Sequence, residues 1–556
     1  MQTIFIAIDA KHCHMNPAVR ILTTLSKDAG FDAHFCEFTV NDNMLDILSK
    51  LYTQKCDLYI FSCYIWNIEL VLDIAGELKK LLPGSKIALG GPEVTYRPAD
   101  ILNAPAIDYV LSGEGEDIIV PFIEALENGK EPENPSVATR EHPEAIPAVC
   151  ENLNGPFPYT KDEIKSGRLV YYETSRGCPF SCHFCLSSVQ NGVRYVNEDR
   201  VVADVTYMAR CGARVIKFLD RTFNADKARA LRLFKAFAEI DTGTVFHFEI
   251  CAQLLNNEII EFLKTVPRGR FQFEIGVQST FPKTLMAINR SPDLQRLSYN
   301  IGQLYESRNI HLHLDLIAGL PYETFEQFKQ SFNDVYPYSD KLQLGFLKLL
   351  YGTALRNEYA RFGYRFLDKP PYEVLENGFM TFDEILKLKN VETELERFRN
   401  SDRFRVSLSY IIGFFRTPYD MFEALAEYTA SLNIEGDLSL RGLYHILYDF
   451  GRERLKITEE AFTDLIRMDY SAHFRGGLDS ELAYHEDKAF RNNCTRFLRD
   501  ESNRLRVFHY RPDKTYQEIS RDVEIHSFIS FNNRARVLIF DYKYDKITDI
   551  TATFND

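Results

Sequence analysis

The sequence predicts an α/β protein made of a doubly wound domain, a partial (β/α)6 barrel and a mixed C-terminal accessory domain. Three observations carry that expectation. Short apolar strands alternate with amphipathic helical stretches from residue 3 to residue 128. The same alternation restarts at 169 and continues to 347. Between the two blocks, Gly129, Pro132, Pro135, Pro143, Pro147, Pro156 and Pro158 stand among charged positions, the composition of an ordered linker. Alternating strands and helices predict parallel sheets covered by helices. At 556 residues the chain exceeds one ordinary core, and about two to four domains are expected. The expected divisions are 1–130, a linker at 131–168, a barrel at 169–370, a transition at 371–390 and an accessory region at 391–556.

In the first block the candidate strands are 3–8, 33–38, 58–63, 86–89 and 107–111. Helices are expected over 17–29, 42–55, 67–82, 97–103 and 115–128. In such a sheet, binding loops collect at the carboxyl ends of the strands. Those loops run from Asp9 to Asn16, Ser62 to Trp66, Gly90 to Tyr96 and Ser112 to Glu116. Gly90 and Gly91 permit close approach of a ligand to the backbone, and Ser62 offers a hydrogen bond from the sheet edge. None of these loops has a Gly-x-Gly-x-x-Gly or Walker pattern.

In the second block the strands are expected at 169–174, 214–219, 245–250, 271–276, 310–317 and 342–347. Helices fill 198–211, 225–240, 256–264, 292–307 and 324–335. Six such units make a partial barrel whose chemistry gathers at the carboxyl ends of its strands. There the sequence supplies Asp220 and Arg221, then Glu274, Gln278 and Ser279, then His311, His313 and Asp315, which period two places on one face. Structural hydrogen bonding is the plainer role for the two histidines. Beyond 390, helices are expected at 383–399, 418–432, 438–450 and 458–468, followed by a basic and aromatic region at 488–511. Strand-like alternation is expected at 505–510 and 523–542.

Hydrophobic residues make up 45% and charged residues 26% of the chain, as in a folded protein. A formal charge of -14 argues against broad nonspecific nucleic-acid binding and leaves room only for a local basic patch. The opening residues MQTIFIAIDAKHCH carry no basic leader, and no apolar stretch approaches the roughly twenty residues of a membrane span. Eleven scattered cysteines make no secreted disulfide pattern. A cytoplasmic protein with no membrane-spanning segment is therefore expected.

Three of those cysteines stand apart. Cys178, Cys182 and Cys185 follow the first barrel strand in the run YYETSRGCPFSCHFC, where Arg176, Gly177 and Pro179 are expected to open a turn. Closely spaced thiolates suit a soft metal. Structural zinc usually takes four ligands, and no second Cys-x-x-Cys pair lies downstream. His183, between two of the cysteines, is too close in sequence for easy joint ligation. The odd number points to a [4Fe-4S] cluster with one iron open; the alternative is a tight turn with buried free thiols.

The motif Cys178-Pro-Phe-Ser-Cys182-His-Phe-Cys185 after a strand resembles that of the radical S-adenosylmethionine superfamily. FEIGVQS at 273–279, DLIAGLPYET at 315–324 and LKLLYGTAL at 347–355 resemble that family's fourth, fifth and sixth strand endings. The resemblance implies a cluster that binds S-adenosylmethionine and an external low-potential electron donor that drives its cleavage to a 5'-deoxyadenosyl radical. It also implies Asp220 as a candidate partner of the methionine amino group, in place of a Gly-Gly-Glu segment. Gly319 would pass beside adenine, Glu274 and Gln278 would orient ribose or carboxylate, and Asp315 would line the cofactor cavity.

Ser62, LGGPE at 89–93 and LSGEGE at 111–116 look like the cobalamin-binding domain that precedes many such barrels. That likeness adds Glu93 and Glu114 to Ser62, Gly90 and Gly91 as cobalamin-binding candidates. The lower-ligand signature Asp-x-His-x-x-Gly is broken, because Lys11 follows Asp9 at the histidine position; His12 and His14 are nearby. A degenerate domain without cofactor is the competing reading. Together the resemblances imply a cobalamin-dependent enzyme that methylates an unactivated carbon, with a small-molecule or peptide substrate favoured over nucleic acid. The alternatives are a cobalamin-assisted rearrangement or redox step, and an RNA- or protein-binding module with a structural cluster.

Overall fold

The computed structural model describes residues 1–189, 192–432, 438–479, 482–484, 486–529 and 534–554. It divides into two compact units, Met1–Ile385 and Leu386–Asp556. Among the described residues no helix is long and apolar enough to cross a membrane.

The first unit begins with β1 (Gln2–Asp9), β2 (Asp32–Thr39), β3 (Leu58–Ser62), β4 (Lys86–Gly90) and β5 (Tyr109–Leu111). These strands lie parallel in the order β2-β1-β3-β4-β5. Their alternation divides the apolar residues between two helical layers. Ile4, Ile6, Ile8, Tyr59 and Phe61 pack with Ile47, Leu51, Val71 and Ile74 on one face. Phe5, Ala7, Leu58 and Ile60 pack with Val19, Ile119, Phe122 and Ile123 on the other. The sheet is thus doubly wound. The expected linker also contributes structure: β6 (Val137–Ala138) pairs antiparallel with β5 and buries both side chains.

The barrel strands are β7 (Val170–Tyr172), then, after an intervening hairpin, β10 (Val215–Phe218), β11 (Val245–Glu249), β12 (Phe271–Gln278), β13 (His311–Ala318) and β14 (Lys341–Phe346). They form one parallel sheet in sequence order, with β7 and β14 as unpaired edges. Between β7 and β10 the chain departs from the expected turn. Ser175–Cys178 (β8) and Gly192–Tyr195 (β9) form a separate antiparallel hairpin, whose connecting loop carries the remaining cysteines.

Helix Lys227–Ala238 lays Phe234 and Phe237 on the outer face of this sheet, where Phe218, Phe246, Phe248, Phe271 and Phe273 meet them ring to ring. After β14, β15 (Arg365–Phe366) and β16 (Val374–Glu376) close a short antiparallel pair.

The second unit packs helices Pro418–Ser431, Leu440–Glu453 and Glu460–His473 with shorter helices, and ends in an antiparallel sheet of β17 (Val523–Phe528), β18 (Arg536–Asp541) and β19 (Lys546–Asp549). Residues 505–510 are not a strand. Asp500 caps a helix, Glu501–Val507, by accepting from the Asn503 amide at 2.9 Å, so the alternating residues lie in and just beyond its last turn.

Phe248 is fully buried among six other phenylalanines. Phe248→Ala is expected to cost about 3–5 kcal/mol through the cavity it leaves. A clear fall in the first thermal transition checks this; an unchanged midpoint contradicts the packing described.

Candidate functional site

The cysteines occupy the loop of the β8–β9 hairpin. Cys178 ends β8, and Gly177 before it has φ +96°, with an added Cβ lying 2.2 Å from the Gly192 carbonyl oxygen. Only glycine fits that close crossing. The loop is then folded back on itself: the Cys185 amide donates to the Cys182 carbonyl at 3.1 Å, and the Ser188 hydroxyl donates to the carbonyls of Cys182 and Cys185 at 2.8 and 2.5 Å. The His183 backbone anchors it to the barrel, its amide donating to Ile288 and its carbonyl accepting from Leu355.

Cys178 Sγ lies 3.4 Å from Thr222 Oγ1, just beyond the end of β10. Burial pushes the Cys182 thiol up to about 11, opposed by Arg290 and reinforced by Cys185 and Cys178. Iron binds cysteine as the thiolate, and its positive charge would offset the burial that holds the proton on Cys182. Among the described residues no three His, Cys, Asp or Glu side chains converge on a single ion. Three cysteines within eight residues of one loop are a donor set that suits an iron–sulfur cluster, in which each thiolate takes its own iron.

The inner face of the barrel is polar for the same reason that its outer face is aromatic. In register, Lys217 is followed by His247, Glu249 by Glu274, His313 and Lys341, and Asp315 by Gln343. Lys217 Nζ and His247 Nε2 each lie 3.0 Å from Glu274 Oε2. Burial raises the Glu274 pKa, but these two neighbours overcome it and hold the carboxyl at about 2. His313 is pushed down to about 4 by burial and is neutral near pH 7. Asp315 is pushed up to about 8, first by burial and then by Glu274 and Glu249. Among the described residues two buried acceptors on this face, Asp315 Oδ1 and Gln278 Oε1, have no hydrogen-bond partner, with His313 Nε2 standing 3.6 Å from the first. Gln278 follows a bulge in β12 and has φ +70°, an irregularity that re-aims the side chain.

Several sequence candidates lie elsewhere. Asp220 is 1% exposed and turned into the protein, accepting from the Thr174 amide at 2.8 Å, the Thr174 hydroxyl at 2.5 Å and the Ser175 hydroxyl at 2.7 Å. Burial still pushes it up to about 6. It fastens β10 to the turn between β7 and β8. Gly319 has φ +86°, and an added Cβ would lie 2.7 Å from Val374 Cγ1, so contact with β16 already accounts for the glycine.

At the strand ends of the first sheet, Gly91 has φ +107° and would bring a Cβ within 2.6 Å of the Cys63 carbonyl oxygen. Gly90 accepts from the Cys63 amide at 2.7 Å, and the Ser62 carbonyl accepts from Asn67 at 2.9 Å. Glu93 is buried, paired with Arg97 at 2.5 Å and accepting from the Tyr372 hydroxyl at 2.5 Å. Glu114 is bound by Arg176, Arg194 and the Cys150 amide. Both carboxylates are therefore engaged by groups of the protein itself.

Two groups at this edge, Asp9 and Trp66, were not among the binding candidates drawn from the sequence. Asp9 is buried at the end of β1, its Oδ2 without a hydrogen bond among the described residues and 3.8 Å from an Arg168 guanidinium nitrogen, and burial pushes it up to about 6. Trp66 stacks on Tyr64 at 4.4 Å while remaining 46% exposed, with its indole N–H donating to the Ile8 carbonyl. His12 is exposed, whereas His14 Nδ1 meets the Tyr171 hydroxyl on β7. Lys217, His247 and Glu249 were also passed over; period two along β10 and β11 was the available signal.

The raised Asp315 pKa has a direct consequence for stability. The folded chain holds that proton at pH values where the unfolded chain has lost it, so stability falls as pH rises from about 4 to about 8. Asp315→Asn is expected to flatten the fall in thermal midpoint between about pH 5 and pH 8. Equal slopes in the two proteins contradict the assignment.

Residues 4–122 match the B12 binding domain, residues 172–335 the Radical SAM superfamily, and residues 360–539 a family described as a protein of unknown function, DUF4080. The chain is 28% identical over 298 residues to the 2-(S-pantetheinyl)-carbapenam-3-carboxylate methyltransferase of Streptantibioticus cattleyicolor, covering 49% of this chain and 44% of that one. It is 25% identical over 321 residues to the hopanoid C-3 methylase of Methylococcus capsulatus, covering 54% and 61%. The matches thus span less than two thirds of either relative. Among solved structures, the cobalamin-dependent radical enzyme OxsB, with aqua-cobalamin and S-adenosylmethionine bound, shares the fold at a TM-score of 0.58 and 13% identity, over 84% of this chain and 79% of that one. The chain therefore carries a B12-binding domain followed by a Radical SAM domain, with a DUF4080 region at its C-terminal side.

Proposed function

We propose that the protein is a cobalamin-dependent radical enzyme that methylates an unactivated carbon of a small molecule or peptide. The observation that carries this reading is the opening of the three-cysteine loop beside Thr222 and Arg290, at the end of a barrel whose inner face holds unpartnered acceptors. When bound, the cluster with S-adenosylmethionine supplies a hydrogen-abstracting radical, and methylcobalamin supplies the methyl group.

The protein's own residues hold and orient. Cys178, Cys182 and Cys185 are the proposed iron ligands. Gln278 Oε1 and Asp315 Oδ1 would accept hydrogen bonds from ammonium or hydroxyl donors of S-adenosylmethionine or substrate, each being buried without a hydrogen bond among the described residues. Glu274, kept ionised by Lys217 and His247, sets a fixed negative charge beneath them. The edge formed by Asp9, Ser62, Gly90, Gly91 and Trp66 would receive the corrin. An external low-potential donor would supply the electron. Methyltransferases among the relatives support the class of reaction, and the carbon acceptor is the proposal.

Turnover of anaerobically purified enzyme with S-adenosylmethionine carrying a deuterated methyl group tests it, using candidate substrates suggested by neighbouring genes. Product heavier by one labelled methyl, with 5'-deoxyadenosine formed alongside, is the expected result. Product without label while 5'-deoxyadenosine accumulates would overturn methyl transfer in favour of a rearrangement or redox step. Cys178→Ala is expected to lose most of its bound iron and to reduce 5'-deoxyadenosine to background.

A further inference from the structure

The hairpin that carries the cysteines places two like charges opposite each other. Arg176 on β8 and Arg194 on β9 are register partners in the antiparallel pair. Directly opposed cations on one hairpin are unfavourable unless a carboxylate lies between them. The compensating carboxylate comes from the other end of the unit. Glu114, in the loop after β5 of the B12-binding domain, accepts from Arg194 at 2.6 and 2.8 Å and from Arg176 at 3.0 Å.

The surroundings lock this carboxylate in place. The Glu114 amide donates to the Ala148 carbonyl at 3.0 Å, and Glu114 Oε2 accepts from the Cys150 amide at 2.7 Å. Gly113 before it has φ +92° and would place a Cβ 2.2 Å from the Ala148 nitrogen. Arg176 has two further partners, Glu173 at 2.6 Å and Glu116 at 2.8 Å. Among the described residues Arg194 has Glu114 as its only ion-pair partner, with the Cys150 carbonyl as its other acceptor. Removing the Glu114 charge therefore leaves Arg194 opposite Arg176 with no ion-pair partner of its own among the described residues, while Arg176 keeps Glu173 and Glu116.

We propose that Glu114 is a positioning residue: the B12-binding domain supplies the carboxylate that holds the cluster-bearing hairpin in register. Docking of one cofactor domain thereby sets the geometry of the other. The charge comes from a strand-end loop of a sheet that is complete without the hairpin, whereas Arg194 of the hairpin has no other ion-pair partner among the described residues. Gly177 and Cys178 follow Arg176 directly, so loss of the pairing is transmitted to the first thiolate. This role differs from corrin contact, which the position of Glu114 in its loop first suggested.

Hydrogen exchange of the anaerobically purified protein, carrying its iron and corrin, tests the proposal without turnover. Glu114→Gln is expected to raise exchange at the amides of Ser175–Cys178 and Gly192–Tyr195 by about tenfold or more. Adding Arg194→Gln to that variant removes one of the opposed charges and is expected to bring exchange back toward the wild-type rate. The proposal is overturned if Glu114→Gln leaves these amides at the wild-type rate, whether or not corrin is lost. It is equally overturned if exchange rises, locally or throughout, and the second substitution does not restore it.

Discussion

A parallel sheet with helices on its outer side must turn its apolar side chains outward, and strand periodicity then leaves the inner row free to carry charge. The site depends on this constraint. Phe218, Phe246, Phe248 and Phe273 fix the outer layer, and the alternate positions Lys217, His247, Glu249 and Glu274 are thereby committed to the inside. Burial then controls their chemistry. Glu274 stays ionised because two nitrogens share its oxygen, whereas Asp315, two strand positions beyond the register partner of Glu274, keeps its proton near neutrality. A lining with both a fixed charge and an unpartnered acceptor suits a ligand that brings its own donors.

The second constraint is the join between the two cofactor domains. Charged groups run through it. Glu114 reaches the two arginines of the hairpin, and Glu93 reaches Tyr372 beyond the barrel, where the Arg97 and Arg356 guanidinium groups lie over the Tyr351 ring at 4.6 and 3.6 Å. Bidentate arginine pairs fix orientation as well as distance. Such contacts suit an enzyme that must bring two cofactors to one substrate atom, where small misplacements are costly.

Much of the fold was legible because its strands are short, apolar and well punctuated. Thr3–Ile8, 58–62 and 215–218 are flanked by turn residues, and their bounds fall within a residue or two of expectation. The β8–β9 hairpin was not legible, since its strands are separated by the cysteine loop and contain glycines that read locally as turns. The three cysteines stood out by spacing alone. Asp220, Glu93 and Glu114 show the limit of such reading. A motif locates a carboxylate on a strand end, but its direction is decided by partners far away in sequence, such as Arg194 and Tyr372. Residues 505–510 show the same limit for secondary structure, where the Asp500 cap outweighs a local alternation.

The central claim is that three thiolates hold iron with one position open to S-adenosylmethionine, at the mouth of a polar barrel. Electron paramagnetic resonance of the reduced, anaerobically purified protein tests it most directly. The account predicts a [4Fe-4S] signal that changes when S-adenosylmethionine is added. A site filled by zinc, or a cluster signal indifferent to that addition, would contradict it.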